Sequence, residues 1–173
     1  TRIQGSKNAA LPILAATLLI NGVCEIENCP VISDGYHMQR LLQSIGCHIR
    51  RRDNQLEIDT RQVMTNEMPA DSVGVMRSSI MLLGALIARI GKVWMEYPGG
   101  CVIGARPINL HLEGLRRMGV TIREEQNGFE ASCGRLHGAE HKLPFVSVGA
   151  TENLILAAVL AEGVTIIEPA ARE

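Results

Sequence analysis

The sequence has few aromatic residues and almost no net charge, and each shortage excludes a class of function. Phenylalanine, tyrosine and tryptophan make up 3% of the 173 residues, which leaves few rings on which nucleic-acid bases could stack. A net charge of -1 creates no broad electrostatic field, so a bound anion must meet a local cluster of cations. We therefore expect neither a nucleic-acid partner nor a membrane partner.

The chain also lacks an apolar run long enough to cross a bilayer. The longest run covers residues 9–20 and contains Pro12, whereas a membrane-spanning helix needs about 20 apolar residues. No stretch combines the basic start, apolar centre and small-residue cleavage site of a signal peptide. These absences predict a globular domain in the cytoplasm.

The five cysteines follow no pattern of a disulfide framework or a metal site. Their number is odd, no Cys-x-x-Cys pair occurs, and no histidine lies nearby at ligand spacing. We expect no metal and no cofactor. Four of them, Cys24, Cys29, Cys47 and Cys133, lie in or beside predicted strands, where a small buried residue is the better interpretation.

A repeat of roughly 70 residues organises the chain. Apolar helical stretches recur at residues 6–21, 77–90 and 147–162, and each leads through a glycine into a short predicted strand. In the first two copies a second helix, which ends at Gly46 or Gly119, leads into a hairpin. The predicted unit is helix, strand, helix, strand, strand, and the third copy stops before its second helix. The predicted units cover residues 1–60, 71–133 and 146–173.

The predicted strands have definite bounds. Those that follow the first helix of each copy cover residues 23–27, 92–97 and 164–168, and the two hairpins pair residues 48–52 with 55–59 and residues 121–125 with 129–132. The hairpins turn at Asp53-Asn54 and at Asn127-Gly128, residue types that favour tight turns.

The start of the first helical stretch has the composition of an anion site. Lys7 and Asn8 follow Gly5 and Ser6, and the N–H groups at a helix start attract negative charge to which a lysine adds its own. A plain helix cap followed by a surface lysine would explain the same residues.

The segment at residues 98–107 places a cysteine among glycines and next to a cation. Cys101 follows Gly99 and Gly100, and Arg106 lies five residues beyond it. Mobility and a nearby cation favour the thiolate form, but the residue types alone leave a reactive and a packed cysteine equally open.

Two further side chains admit a functional and a structural interpretation. Arg77, at the start of the middle helix, could grip a phosphate or carboxylate with its guanidinium fork, or be an exposed arginine beside a cap. His111 could face the cysteine loop or cap a helix that starts near Leu112.

Four blocks together resemble the enolpyruvyl transferase family: residues 5–14, 76–79, 98–107 and 147–151. They occur in the family's order and span nearly the whole chain. The resemblance implies an inside-out α/β barrel domain (α/β, or α+β) built of βαβαββ-type units, which agrees with the repeat. It also implies a second domain, absent from this chain, that carries a catalytic aspartate and a further substrate-binding arginine.

The resemblance implies transfer of the enolpyruvyl group of phosphoenolpyruvate to the 3'-hydroxyl of UDP-N-acetylglucosamine, with release of phosphate. Cys101 would deliver the proton to the methylene carbon, and Lys7 and Asn8 would hold phosphoenolpyruvate. The residues implied to contact the UDP-sugar are Arg77, Arg106, Pro107, Ile108, Asn109, Leu110, His111, Val146, Ser147 and Val148.

The chain departs from the family pattern at two positions: Phe145 stands where some members carry a lysine, and Gly74 stands where many carry a basic residue. An apolar or backbone contact would then replace a lysine contact to uracil at position 145. Two other functions compete: the sister reaction on shikimate 3-phosphate, and a non-catalytic UDP-sugar-binding paralogue. Asn8 and the cysteine loop argue against the first, and the retained cations and thiol argue against the second.

Overall fold

The computed structural model describes residues 5–63, 77–97 and 108–172, with five helices and eight strands in these ranges. The helices are α1 (Lys7–Ala16), α2 (Ser33–Ser44), α3 (Met81–Ile90), α4 (Asn109–Arg117) and α5 (Val148–Ala158). The strands are β1 (Val23–Ile26), β2 (His48–Arg52), β3 (Gln55–Asp59), β4 (Lys92–Glu96), β5 (Thr121–Glu124), β6 (Gly128–Ser132), β7 (Glu140–Lys142) and β8 (Ile166–Glu168). Short 3-10 turns extend α1 at its end (Thr17–Leu19) and precede α3 (Arg77–Ile80).

Glycine ends the helices where the sequence predicts it. Gly46, Gly91 and Gly119 have φ values of 103°, 77° and 94°, the left-handed conformation that terminates a helix at low steric cost. The N–H of Gly91 donates to the Ile87 carbonyl at 3.0 Å and so closes the last turn of α3.

The first two repeats each form a three-stranded antiparallel sheet, with strand orders β1-β3-β2 and β4-β6-β5. Both predicted hairpins are confirmed, and β2 and β3 have the predicted bounds. Asp53 makes the turn between β2 and β3 with a φ of 54°, a conformation that aspartate tolerates better than most residues.

The third repeat and the segment that precedes it form a different sheet. Strand β7 pairs in parallel with β8, and His141 lies opposite Ile167. Strand β7 was not predicted, and β8 begins two residues later than expected. Helix α5 connects the two strands, so this unit has the crossover connection that parallel strands require.

The helices form the central layer of the described structure, and the sheets lie outside it. The first helices of the three repeats, α1, α3 and α5, contact one another, while α2 packs on α1 and α4 packs on α5. Leu14, Leu82, Leu86 and Leu154 are fully buried in this layer. Exposed and buried residues alternate along the strands, as in β3, where Leu56 and Ile58 point inward.

Three expectations need correction. Helix α4 starts at Asn109 rather than near Leu112, because the Ile108 carbonyl accepts N–H groups of the first turn. The regular part of α1 ends at Ala16, and the chain continues as the 3-10 turn. Of the four cysteines expected to be buried, Cys29 and Cys47 are buried, and Cys24 and Cys133 are half-buried.

Candidate active site

The start of α1 presents the first group of candidate residues to solvent. Lys7 and Asn8 occupy the first turn and are exposed, and the Ser6 hydroxyl accepts no capping hydrogen bond. The first N–H groups of a helix have no acceptor within the helix. This turn can therefore donate to an anion through its backbone as well as through the lysine.

Gly5 fixes where this turn lies. A Cβ atom at this position would come within 2.3 Å of the Asn28 carbonyl oxygen and within 3.0 Å of Pro30. Only glycine lets the chain pass this close to the segment between β1 and α2. The glycine at the head of the Gly5-Ser6-Lys7-Asn8 block is thus needed for packing.

Lys7 forms an ion pair with Asp34, which lies in the first turn of α2. The pair holds the lysine ammonium between the N-terminal ends of two helices, where the positive ends of both helix dipoles favour an anion. An incoming phosphate or carboxylate would therefore compete with Asp34 for the same ammonium group.

A second group of candidates lies at the start of α5. The Ser147 hydroxyl accepts a hydrogen bond from the Ala150 N–H at 3.3 Å and caps the helix. Phe145 and Val146, which precede it, are 60% and 56% exposed. These apolar side chains leave the backbone of the turn, rather than a charge, available for a ligand.

His111 belongs to this second group, although it is buried in the helix layer. It lies in the first turn of α4 with 5% exposure, and its Nδ1 is 3.2 Å from the Asn153 side-chain nitrogen. Gly149, in the first turn of α5, lies beside Cε1 and Nε2 of the ring. The structure thus brings His111 to the start of α5, next to Val148.

The other residues that precede α4 differ in exposure. Ile108 is buried, Asn109 is exposed and Leu110 is half-buried. Arg77 begins the 3-10 turn that leads into α3, and its side chain lies outside the described structure. Cys101, Arg106 and Pro107 lie outside the described residues altogether, so their roles stay predictions.

Sequence reasoning missed two residues that shape the site, Asp34 and Asn153. Nothing in the sequence pairs Asp34 with Lys7, because the contact joins different helices. Asn153 did leave a signal, since this polar residue directly precedes the apolar run 154–161 of a predicted helix. A buried amide in such a place must find hydrogen-bond partners, and both of its groups do.

The first sheet carries a surface feature that is separate from the two groups of candidate residues. A depression of about 420 Å³ lies on the outer face of the first sheet, away from the helix layer. Both acidic residues that line it are already paired: Glu57 with Arg50, and Asp59 with Arg61, whose guanidinium lowers the pKa of the Asp59 carboxyl to about 2. Among the described residues, no cluster of three or more metal-ligating side chains occurs, and no helix could span a membrane.

Comparison with known proteins places these features in context. A family model described as EPSP synthase (3-phosphoshikimate 1-carboxyvinyltransferase) matches residues 1–173. A UDP-N-acetylglucosamine 1-carboxyvinyltransferase 2 from Caldanaerobacter subterraneus subsp. tengcongensis is 47% identical over 171 residues, which cover 99% of this chain and 41% of that protein. A UDP-N-acetylglucosamine 1-carboxyvinyltransferase from Idiomarina loihiensis is 50% identical over 173 residues, with the same coverage of 99% and 41%.

Solved structures resemble the chain at lower sequence identity. The enolpyruvyl transferase NikO from Streptomyces tendae superposes with a TM-score of 0.79 at 23% identity, over 95% of this chain and 39% of that one. EPSP synthase from Acinetobacter baumannii gives a TM-score of 0.73 at 20% identity, over 100% and 41%. These likenesses establish the predicted α/β fold. The chain spans about 41% of the length of the curated relatives described above.

Proposed function

Because this chain belongs to the EPSP synthase family, we propose that it forms the N-terminal, cysteine-bearing part of an enzyme that transfers the enolpyruvyl group of phosphoenolpyruvate to UDP-N-acetylglucosamine. The acceptor is the 3'-hydroxyl, inorganic phosphate is released, and the product enters peptidoglycan synthesis in the cytoplasm. One observation carries the choice of acceptor: relatives that are 44–50% identical over 99% of the chain bear the name of this activity.

The chemistry assigns separate tasks to the two groups of site residues. Lys7 and Asn8, at the start of α1, bind phosphoenolpyruvate, whose phosphate and carboxylate displace Asp34 from the lysine ammonium. The turn Val146-Ser147-Val148 and the residues from Arg106 to His111 bind the UDP-sugar. Arg77 also binds the UDP-sugar, and with Arg106 it adds positive charge around the two anionic substrates.

The reaction proceeds by addition and elimination. The sugar oxygen bonds to C2 of phosphoenolpyruvate while its proton leaves to a base, and C3 receives a proton from the Cys101 thiol. C3 then returns a proton to the Cys101 thiolate, and the electron pair of that C–H bond forms the double bond between C2 and C3. The bond from C2 to the phosphate oxygen breaks, inorganic phosphate departs with its electron pair, and the base releases its proton to solvent. The base that we propose is an aspartate of a second domain, which would also close the site against water.

The test uses the full-length protein and follows phosphate release from phosphoenolpyruvate. We expect release that depends on UDP-N-acetylglucosamine, and Cys101→Ser should lower kcat at least about 100-fold, the usual contribution of a general acid. Cys133→Ser is the matched control, because this thiol follows β6 and donates to the Arg135 carbonyl at 3.0 Å. Equal rates for Cys101→Ser and Cys133→Ser would contradict the assigned role.

The sister reaction is the second candidate, because the matching family model is described by it. Shikimate 3-phosphate in place of the UDP-sugar should support no phosphate release. Turnover with shikimate 3-phosphate and none with UDP-N-acetylglucosamine would reverse the assignment.

A further inference from the structure

Three helices meet at one buried amide. Asn153, in α5, is completely buried, and its two side-chain atoms contact different helices. The Gly84 N–H of α3 lies 2.7 Å from Oδ1, and Nδ1 of His111 in α4 lies 3.2 Å from Nδ2. This amide therefore connects the middle helix of the layer to the histidine beside the start of α5.

The chemistry of these contacts fixes the orientation of the amide. A backbone N–H can only donate, so the side-chain atom facing Gly84 must be the oxygen. The amide nitrogen, which can only donate, then faces His111. Nδ1 of the histidine must accept this hydrogen bond, so it carries no hydrogen, and the ring is the neutral tautomer with its hydrogen on Nε2.

Close packing prevents the amide from relaxing into another arrangement, and the ring lies next to the first turn of α5. A Cβ atom on Gly84 would lie 2.2 Å from the Asn153 carbonyl oxygen and 2.6 Å from Oδ1, so α3 and α5 are in direct backbone contact here. On the other side, a Cβ atom on Gly149 would lie 3.4 Å from Cε1 of His111 and 3.6 Å from Nε2. The imidazole is thus held between Asn153 and the first turn of α5.

We propose that Asn153 is a positioning residue that holds His111 as the neutral tautomer with its hydrogen on Nε2, against the first turn of α5, where the UDP-sugar would bind. This inference rests on the proposed function only for the identity of the ligand. A neutral ring adds no positive charge to this turn, and the cations of the proposed site would be Lys7, Arg77 and Arg106.

The direct test is the tautomer of His111 in the full-length protein with 15N-labelled histidine. We expect a pyridine-like Nδ1 shift and a pyrrole-like Nε2 shift for the signal that disappears in His111→Gln. A pyrrole-like Nδ1 in the unsubstituted protein would overturn the proposal without any variant or activity measurement.

Two substitutions separate positioning from packing. Asn153→Asp keeps an acceptor for the Gly84 N–H but presents a carboxylate oxygen to His111, so Nδ1 should gain a hydrogen and its shift should become pyrrole-like. Asn153→Leu removes both bonds at similar volume and should lower the melting temperature without imposing a hydrogen on Nδ1. Asn127→Asp, the same change in the exposed turn before β6, should leave the shift unaltered. An unchanged Nδ1 shift in folded Asn153→Asp would refute the role of Asn153.

Steady-state kinetics then tests the role toward the ligand. In Asn153→Asp the changed protonation of the ring beside Gly149 should raise the KM for UDP-N-acetylglucosamine roughly tenfold, while the KM for phosphoenolpyruvate should change less than about twofold. An equal rise in both values would indicate general distortion and contradict positioning. If the tautomer is as expected but the unsubstituted protein does not use the UDP-sugar, the proposed function fails and the assignment of the tautomer stands.

Discussion

The helix layer and the third sheet bury polar side chains in opposite ways. In the helix layer, Asn153 is fully buried and both ends of its amide are hydrogen-bonded. In the third sheet, His141 of β7 is 1% exposed, and neither ring nitrogen has a hydrogen-bond partner among the described residues. A satisfied buried polar group fixes geometry, whereas an unsatisfied one costs stability. The comparison predicts that the helix layer tolerates substitution far less well than the third sheet.

The largest effect should come from breaking the contact between α3 and α5. Gly84→Ala places a methyl group against the Asn153 carbonyl oxygen, where backbone on both sides prevents local adjustment. We expect a loss of about 3 kcal/mol in the free energy of unfolding and a fall in melting temperature of roughly 6–12 °C. Gly134→Ala is the matched control, because its added Cβ meets no atom within 4 Å. Thermal melts of equal midpoint for the two variants would contradict the tight helix contact.

Removing the arginine that joins α3 to the first repeat should have the next largest effect. Arg89 donates to the carbonyls of Leu18 and Ile20, each at 2.9 Å, and to the Thr60 carbonyl at 2.6 Å. Because these carbonyls lose a charged donor, Arg89→Met should cost about 2 kcal/mol in urea unfolding.

The control for Arg89 is Arg50→Met, since the Arg50 side chain is 80% exposed and its ion pair with Glu57 is long, at 3.6 Å. This change should cost less than about 0.5 kcal/mol. A similar loss for both variants would show that Arg89 acts through general charge rather than through its carbonyl partners.

A smaller, pH-dependent effect should reveal the unpartnered histidine of the third sheet. Burial lowers the pKa of His141, and the positive charge of Arg117 lowers it further. The unfolded chain therefore takes up a proton at a higher pH than the folded one, so stability is lost as the pH falls below about 6.5, the ordinary histidine pKa. His141→Leu should melt at a higher temperature than the unsubstituted protein at pH 5, with a smaller difference at pH 8.

The control for this pH dependence is His137→Gln, a change at an exposed histidine close to the same sheet. It should preserve the loss of stability at low pH. If His141→Leu shows the same pH profile as His137→Gln, His141 does not limit acid stability.

The smallest effect should follow from the exposed ion pair at the candidate site. The Lys7 side chain is 56% exposed and that of Asp34 is 29% exposed, so water screens their attraction. Asp34→Asn should change the free energy of unfolding by less than about 0.5 kcal/mol. A loss above about 1 kcal/mol in urea unfolding would show that the pair supports the packing of α1 on α2.

Local signals explain which parts of the fold the sequence predicts. The sequence predicts the hairpin from β2 to β3 at the correct residues, because Asp53-Asn54 interrupts two alternating strands and the pairing needs only neighbouring residues. The pairing of β7 with β8 depends on residues that α5 separates. The three residues of β7 are too few to show a period of two, so neither the strand nor its parallel partner could be recognised.

The sequence indicates which residue types form the candidate site, but it does not indicate their geometry. Sequence alone indicated Lys7 at the helix start and Ser147 as a cap, because both depend on positions within one helix. The burial of His111 against Asn153 depends on how α4 packs on α5, which no periodicity encodes. The proposed role of Cys101 stays a prediction from its loop and from the family resemblance.

The contacts of the helix layer also bear on how the molecule loses its structure. The bond from Gly84 to Asn153 spans 69 residues, and that from Arg89 to Leu18 spans 71, so each ties one repeat to the next. In solenoid proteins the terminal repeats fray independently, because each repeat contacts only its neighbours in a line. Here α1, α3 and α5 each contact the other two. The three repeats therefore form a single cooperative unit, whose slowest-exchanging amides should lie in these helices rather than in the hairpins.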